Sequence, residues 1–175
     1  MGMARGPIQS LLAFVLLAVA LCPSAHADPQ IVPMVRIETA VDVAAPASEV
    51  WSYMTTGKNL VTWCSYWKNE TNSDIQLDEV GDVLEFLDSW DNGGRSVVTY
   101  LDPRREIRVA HEPTNGSYLC QARFRLEPIA DGTRVTYVEH YTDESPPKER
   151  AATAKTMRAE MLGSLDELKR RVEGK

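Results

Sequence analysis

The chain has 175 residues, of which 43% are hydrophobic and 25% charged, a composition that excludes a disordered or collagen-like chain. A formal charge of −6 without a basic cluster excludes a protein built to grip nucleic acid or an anionic membrane. Three cysteines and three histidines are too few for a disulfide scaffold or a cysteine-rich zinc module.

Residues 1–27 predict a secretory signal peptide. Arg5 is the lone charge ahead of an apolar run from Leu11 to Leu21, and that run is shorter than the roughly 20 residues that span a bilayer. Ala25-His26-Ala27 then supplies small residues at a cleavage site, placing the cut before Asp28. Leu21 ahead of Cys22 is not the small residue that precedes a lipid-modified cysteine. The expected product is periplasmic or secreted, has no stable membrane anchor, and keeps Cys64, Cys120, His111 and His140.

Residues 28–34 read as a loose leader and residues 35–175 as a single domain. Val35, Ile37, Thr39, Val41 and Val43 alternate with Arg36, Glu38, Ala40 and Asp42, the pattern of a half-buried strand. Pro46 stops it, and Ala47 to Trp51 opens a helix that Gly57 breaks. A second short helix is expected over 58–64. Strands are then expected over 66–77, 82–90, 95–101, 105–112, 116–127 and 133–142. Turn chemistry separates them at Gly81-Asp82, Asn92-Gly93, Asp102-Pro103, Asn115-Gly116 and Asp131-Gly132. Connections this short favour antiparallel pairing. After Pro146-Pro147, Ala151, Ala154, Met157, Met161, Leu165, Leu168 and Val172 recur every three or four residues. That predicts an amphipathic helix over 148–172, about 25 residues and roughly 37 Å long.

This order is an α+β plan: a curved seven-stranded antiparallel sheet with two short helices, wrapped around a long C-terminal helix. A sheet curved about one helix leaves a hollow, and apolar hollows bind small molecules. The order and its local patterns resemble the START/SRPBCC superfamily, the helix-grip fold of polyketide cyclases and lipid-transfer domains. The carriers are Ala45-Pro46-Ala47-Ser48-Glu49-Val50-Trp51, Trp63, Gly81, Tyr100-Leu101-Asp102-Pro103, Phe124-Arg125-Leu126-Glu127-Pro128, Asp131 to Thr136, and Leu165-Asp166-Glu167-Leu168-Lys169. The resemblance implies a hydrophobic ligand (lipid, sterol, polyketide or aromatic) held between sheet and helix. Trp63 is followed here by Cys64-Ser65-Tyr66 rather than the His-Pro turn often found in such proteins.

In 116–127, Tyr118, Cys120, Ala122, Phe124 and Leu126 share one parity and must face inward, because a one-residue slip would bury Arg123 and Arg125. In 133–142, Val135, Tyr137, Glu139 and Tyr141 are the expected inner set. The expected ligand wall is Trp63, Trp67, Tyr118, Cys120, Ala122, Phe124, Tyr137, Ala154, Met157 and Met161, with Trp63 and Trp67 at the cavity rim. Glu139 is the one weak catalytic candidate, since an inward carboxylate needs a partner or a raised pKa. Cys64 and Cys120 are an even pair in an exported chain, and a disulfide between them is one reading. His111 and His140 lack a thiolate or carboxylate at ligand spacing, so no metal site and no cofactor are expected. The leading function is an exported carrier of a small hydrophobic ligand. A cyclase- or dehydratase-like enzyme and an accessory that binds a protein partner are the alternatives.

Overall fold

The computed structural model describes residues 32–67, 74–87, 93–114, 116 and 119–174. The expected signal peptide and most of the leader lie outside them.

Strand β1 (Met34–Val43) is followed by helices α1 (Ala47–Thr55) and α2 (Gly57–Trp63) and a 3-10 turn at Ser65–Trp67. Strands β2 (Val83–Leu87), β3 (Gly93–Asp102), β4 (Glu106–Pro113), β5 (Cys120–Ile129) and β6 (Gly132–Thr142) come next, and helix α3 (Pro147–Val172) ends the domain. The strands form one antiparallel sheet in the order β1-β6-β5-β4-β3-β2. Five of them are a meander, as the short turns require, and β1 closes onto the last. A register shift between Val98 and Tyr100 marks a bulge where β3 bends against β4.

The expected alternation holds. Ile37, Thr39 and Val43 are buried on β1 while Arg36, Glu38 and Asp42 are exposed. On β5, Cys120, Ala122, Phe124 and Leu126 face the core. On β6 the odd residues Val135 to Tyr141 do so, although Thr136 and Val138 on the other side are also covered.

Among the described residues the sheet has six strands, not seven. The stretch read as a strand over 66–77 is, where described, the turn ending at Trp67 and a coil carrying the isolated bridge Gln76 to Thr56. Its backbone groups go to the α1–α2 junction: Leu77 N–H donates to Thr55 O (2.7 Å), and Ile75 O accepts from Gly57 N–H (2.9 Å). Trp67 and Leu77 are buried anchors of this connection, and anchors spaced along a coil imitate the parity of a strand.

Helix α3 packs on β1, α1, α2 and the 3-10 turn. Pro147 sits in its first turn, Glu149 lies near its positive end, and Lys169, Arg170 and Arg171 lie near its negative end. Met161, Leu165 and Leu168 are fully buried, each contributing roughly 1.5–3 kcal/mol. The apolar stripe is not sealed along its whole length: Ala151 is exposed, and Ala154 and Met157 are half-buried. The tight packing falls on the second half, where Ser164 Oγ bonds Ser65 and Lys169 Nζ donates to Asp42 O (2.7 Å). Among the described residues no helix is long and apolar enough to cross a membrane.

Candidate functional site

Strand pairing lays the inner face out in transverse rows. Ser96, His111, Cys120 and Tyr141 are successive partners across β3, β4, β5 and β6. The next row is Val109, Ala122, Glu139 and Ile37, and the next Ile107, Phe124, Tyr137 and Thr39. All of these residues are buried.

The Phe124 and Tyr137 rings stack with centroids 4.2 Å apart, and Trp63 meets Phe124 edge-on at 6.0 Å. Trp67 lies 5.6 Å from the His111 ring and 6.4 Å from Phe124. Trp63 and Trp67 are both 3% exposed, so they belong to the interior rather than the expected rim. Each satisfies its indole N–H: Trp63 on Tyr53 O (2.9 Å) and Trp67 on Ser96 Oγ (3.0 Å).

The polar end of this face is a connected cluster. Ser96 Oγ lies 2.7 Å from His111 Nδ1, which fixes the ring. The Cys120 thiol donates to Glu139 Oε1, and Tyr137 also hydrogen-bonds that carboxyl. A ring nitrogen of His111, Cys120 Sγ and a Glu139 oxygen lie within 4.8 Å of one another. Burial pushes Glu139 up to about 7 despite its two hydrogen bonds. Burial drives His111 down to about 4, so its ring is neutral. Burial, and then the neighbouring Glu139, raise the Cys120 thiol well above its usual value. A carboxyl that titrates near neutrality in a dry site can give or take a proton. Three buried oxygens on this face have no hydrogen-bond partner among the described residues: Thr39 Oγ1, Glu139 Oε2 and Tyr141 Oη.

The cysteines are not bridged. Cys64 and Cys120 are both buried thiols, and the disulfide reading is corrected accordingly. Cys120 is instead turned to Glu139. Of the expected wall, Trp63, Trp67, Cys120, Ala122, Phe124, Tyr137 and Met161 are brought into one core, with Ala154 and Met157 half-buried against it. Tyr118 lies outside the described residues. Sequence reasoning left out His111, Ser96, Tyr141 and Thr39 as site residues. The missing signal for His111 was present in Ile107, Val109 and His111, which share one parity in 105–112. The absence of ligand spacing in the sequence hid this cluster, because its three residues come from separate strands. Outside this cluster, an open groove of about 500 Å³ runs along Phe86, Gly94 and Pro113. The Phe86 ring separates it from His111, 6.1 Å away edge-on.

A curved antiparallel sheet gripping a C-terminal helix, with an aromatic and partly polar concave face, defines a START/SRPBCC protein of helix-grip architecture. The chain belongs to the polyketide cyclase/dehydrase and lipid transport family, whose model matches residues 34–173. Many solved structures are similar to it, three of them as follows. DynU16, from the dynemicin biosynthetic locus, is 20% identical with a TM-score of 0.62, over 79% of this chain and 47% of that one. Protein MLL2253 from Mesorhizobium loti is 13% identical with a TM-score of 0.63, over 79% and 97%. Aha1 from Colwellia psychrerythraea, a dimer in solution, is 19% identical with a TM-score of 0.56, over 77% and 96%. The chain thus spans less than half of DynU16 and nearly all of the other two. At these identities the likeness is one of fold. No curated protein matches the chain.

Proposed function

We propose that this is an exported binding protein that holds a small, largely apolar molecule with one polar end between the concave sheet and α3. The observation that carries the reading is the set of buried oxygens without partners among the described residues, foremost Thr39 Oγ1 and Tyr141 Oη, on a face whose other end is apolar and aromatic. A buried hydroxyl without a partner costs roughly 1–3 kcal/mol, and folds keep such groups where something else satisfies them. A ligand with an apolar body and a hydroxyl or carbonyl end does so, and its body fits against Phe124, Tyr137 and the adaptable thioether of Met157. Membership of a family that includes lipid transport supports the same class of ligand. Export rests on the Arg5, Leu11–Leu21 and Ala25-His26-Ala27 order.

Native mass spectrometry of the protein purified from its host's envelope or medium tests both halves. The expected species begins at Asp28 and carries one small organic adduct. Thr39→Val and Tyr141→Phe should weaken that adduct while stabilising the empty protein, a pairing that damage to the fold would not produce. Retention of residues 1–27 would overturn export, and a bare protein that takes up no apolar fluorescent probe would overturn the carrier reading.

A further inference from the structure

We propose that His111, Cys120 and Glu139 form a mononuclear site for a borderline divalent cation, with Zn2+ the best match. Each residue comes from a different strand (β4, β5 and β6), and each offers one donor atom, the three lying within 4.8 Å of one another. A tetrahedral Zn2+ takes nitrogen and oxygen ligands at about 2.0–2.2 Å and thiolate sulfur at about 2.3 Å, so these donors need only a small inward adjustment to meet one ion. The donor set selects the metal class. Mg2+ and Ca2+ require oxygen ligands throughout, whereas one imidazole, one thiolate and one carboxylate suit Zn2+ and its spectroscopic substitute Co2+. Charge also balances, because one thiolate and one carboxylate neutralise a divalent ion, and their two protons leave to solvent on binding.

An independent observation points the same way. Glu139 is 2% exposed, and its Oε2 has no hydrogen-bond partner among the described residues. A cation fills the place that no donor takes. The surroundings match a ligand sphere as well. Ser96 Oγ engages His111 Nδ1 at 2.7 Å and is itself held by the Trp67 indole, which leaves Nε2 as the ring nitrogen for a cation. Three protein ligands leave a fourth position open, as at catalytic rather than structural zinc. His111 and Cys120, 8% and 9% exposed, are paired at the end of the sheet where β4 and β5 join. The inference does not depend on the carrier reading.

The test is a titration of the purified, chelator-treated full chain with Co2+ under reducing conditions. The expected result is a thiolate-to-cobalt charge-transfer band that saturates at one equivalent and is displaced by Zn2+. Cys120→Ser should remove the band, Glu139→Gln and His111→Asn should each lower affinity at least about tenfold, and Cys64→Ser should leave the band intact. No charge-transfer band in the parent protein overturns the proposal whether or not any variant folds. So does a band that survives Cys120→Ser or vanishes with Cys64→Ser.

Discussion

Gly132, at the β5–β6 turn, has φ +149°. A Cβ added there would lie 2.0 Å from Val43 O and 3.0 Å from both Ala44 Cα and Ala45 N. Backbone in this region of φ costs roughly 1–3 kcal/mol for any other residue. The Val43 carbonyl that must move accepts the Ala45 N–H at 2.9 Å, and Ala45 O accepts the Thr133 hydroxyl at 2.8 Å. Losing both bonds adds roughly 1 kcal/mol apiece. Gly132→Ala should therefore cost about 3–5 kcal/mol, a large share of the roughly 5–15 kcal/mol that holds a domain together, and lower Tm by about 10 °C or more. Gly163 is the internal control. It lies on the exposed side of α3, where an added methyl meets nothing within 4 Å, so Gly163→Ala should gain up to about 1 kcal/mol. Urea melts followed by tryptophan fluorescence and circular dichroism measure both. A Gly132→Ala protein within about 1 kcal/mol of the parent at an unchanged m-value would refute the steric argument.

Ala154 is half-buried on the looser half of α3, so Ala154→Trp should block uptake of an apolar fluorescent probe at little cost in Tm. If the helix and sheet are fully packed there, the same change overpacks by roughly 1–3 kcal/mol and the melt shows it. Burial acts to raise the Glu106 carboxyl, but hydrogen bonds from Arg123 (2.5 Å) and Arg108 (2.6 Å) outweigh it and hold the carboxyl below the ordinary 4.5. Its stabilisation is therefore present above that value and lost as pH falls through the lower folded value. Glu106→Gln should be less stable than the parent at pH 7, with the gap closing on acidification; denaturant midpoints that stay equally far apart at about pH 3 would contradict this.

Much of the fold was legible because period carries burial. The alternation in 35–43 and 116–127 states which side chains face the helix, and the stripe from Met161 to Val172 states where the helix seals. Residues 66–77 misled because Trp67, Ile75 and Leu77 are apolar and odd-numbered, yet the backbone of Trp67 bonds Cys64 and that of Ile75 and Leu77 bonds Gly57 and Thr55, not a neighbouring strand. The polar cluster was half visible. Parity turns His111, Cys120 and Glu139 inward one at a time, but their meeting depends on the β4–β5 register, which puts His111 opposite Cys120. That register follows from how many residues the connection at 114–119 takes up, and no local pattern encodes it. A shift of one residue would have turned His111 to the outer face.

The closure of β1 onto β6 has a consequence in time. Strands β2 to β6 find their partners among near neighbours, but Met34 pairs with Thr142 and Val43 with Thr133. On a ribosome adding roughly 5–20 residues per second, β1 waits on the order of 5–20 s for its strand partner β6 to be made. Helix α3, which covers it, comes later still. Until then, Val35, Ile37, Val41 and Val43 lack the β6 and α3 surfaces that cover β1, and pairing across so long a loop is intrinsically slow. This strand therefore stays uncovered until synthesis is nearly complete, an apolar segment that a holding chaperone can accept and the finished sheet no longer presents.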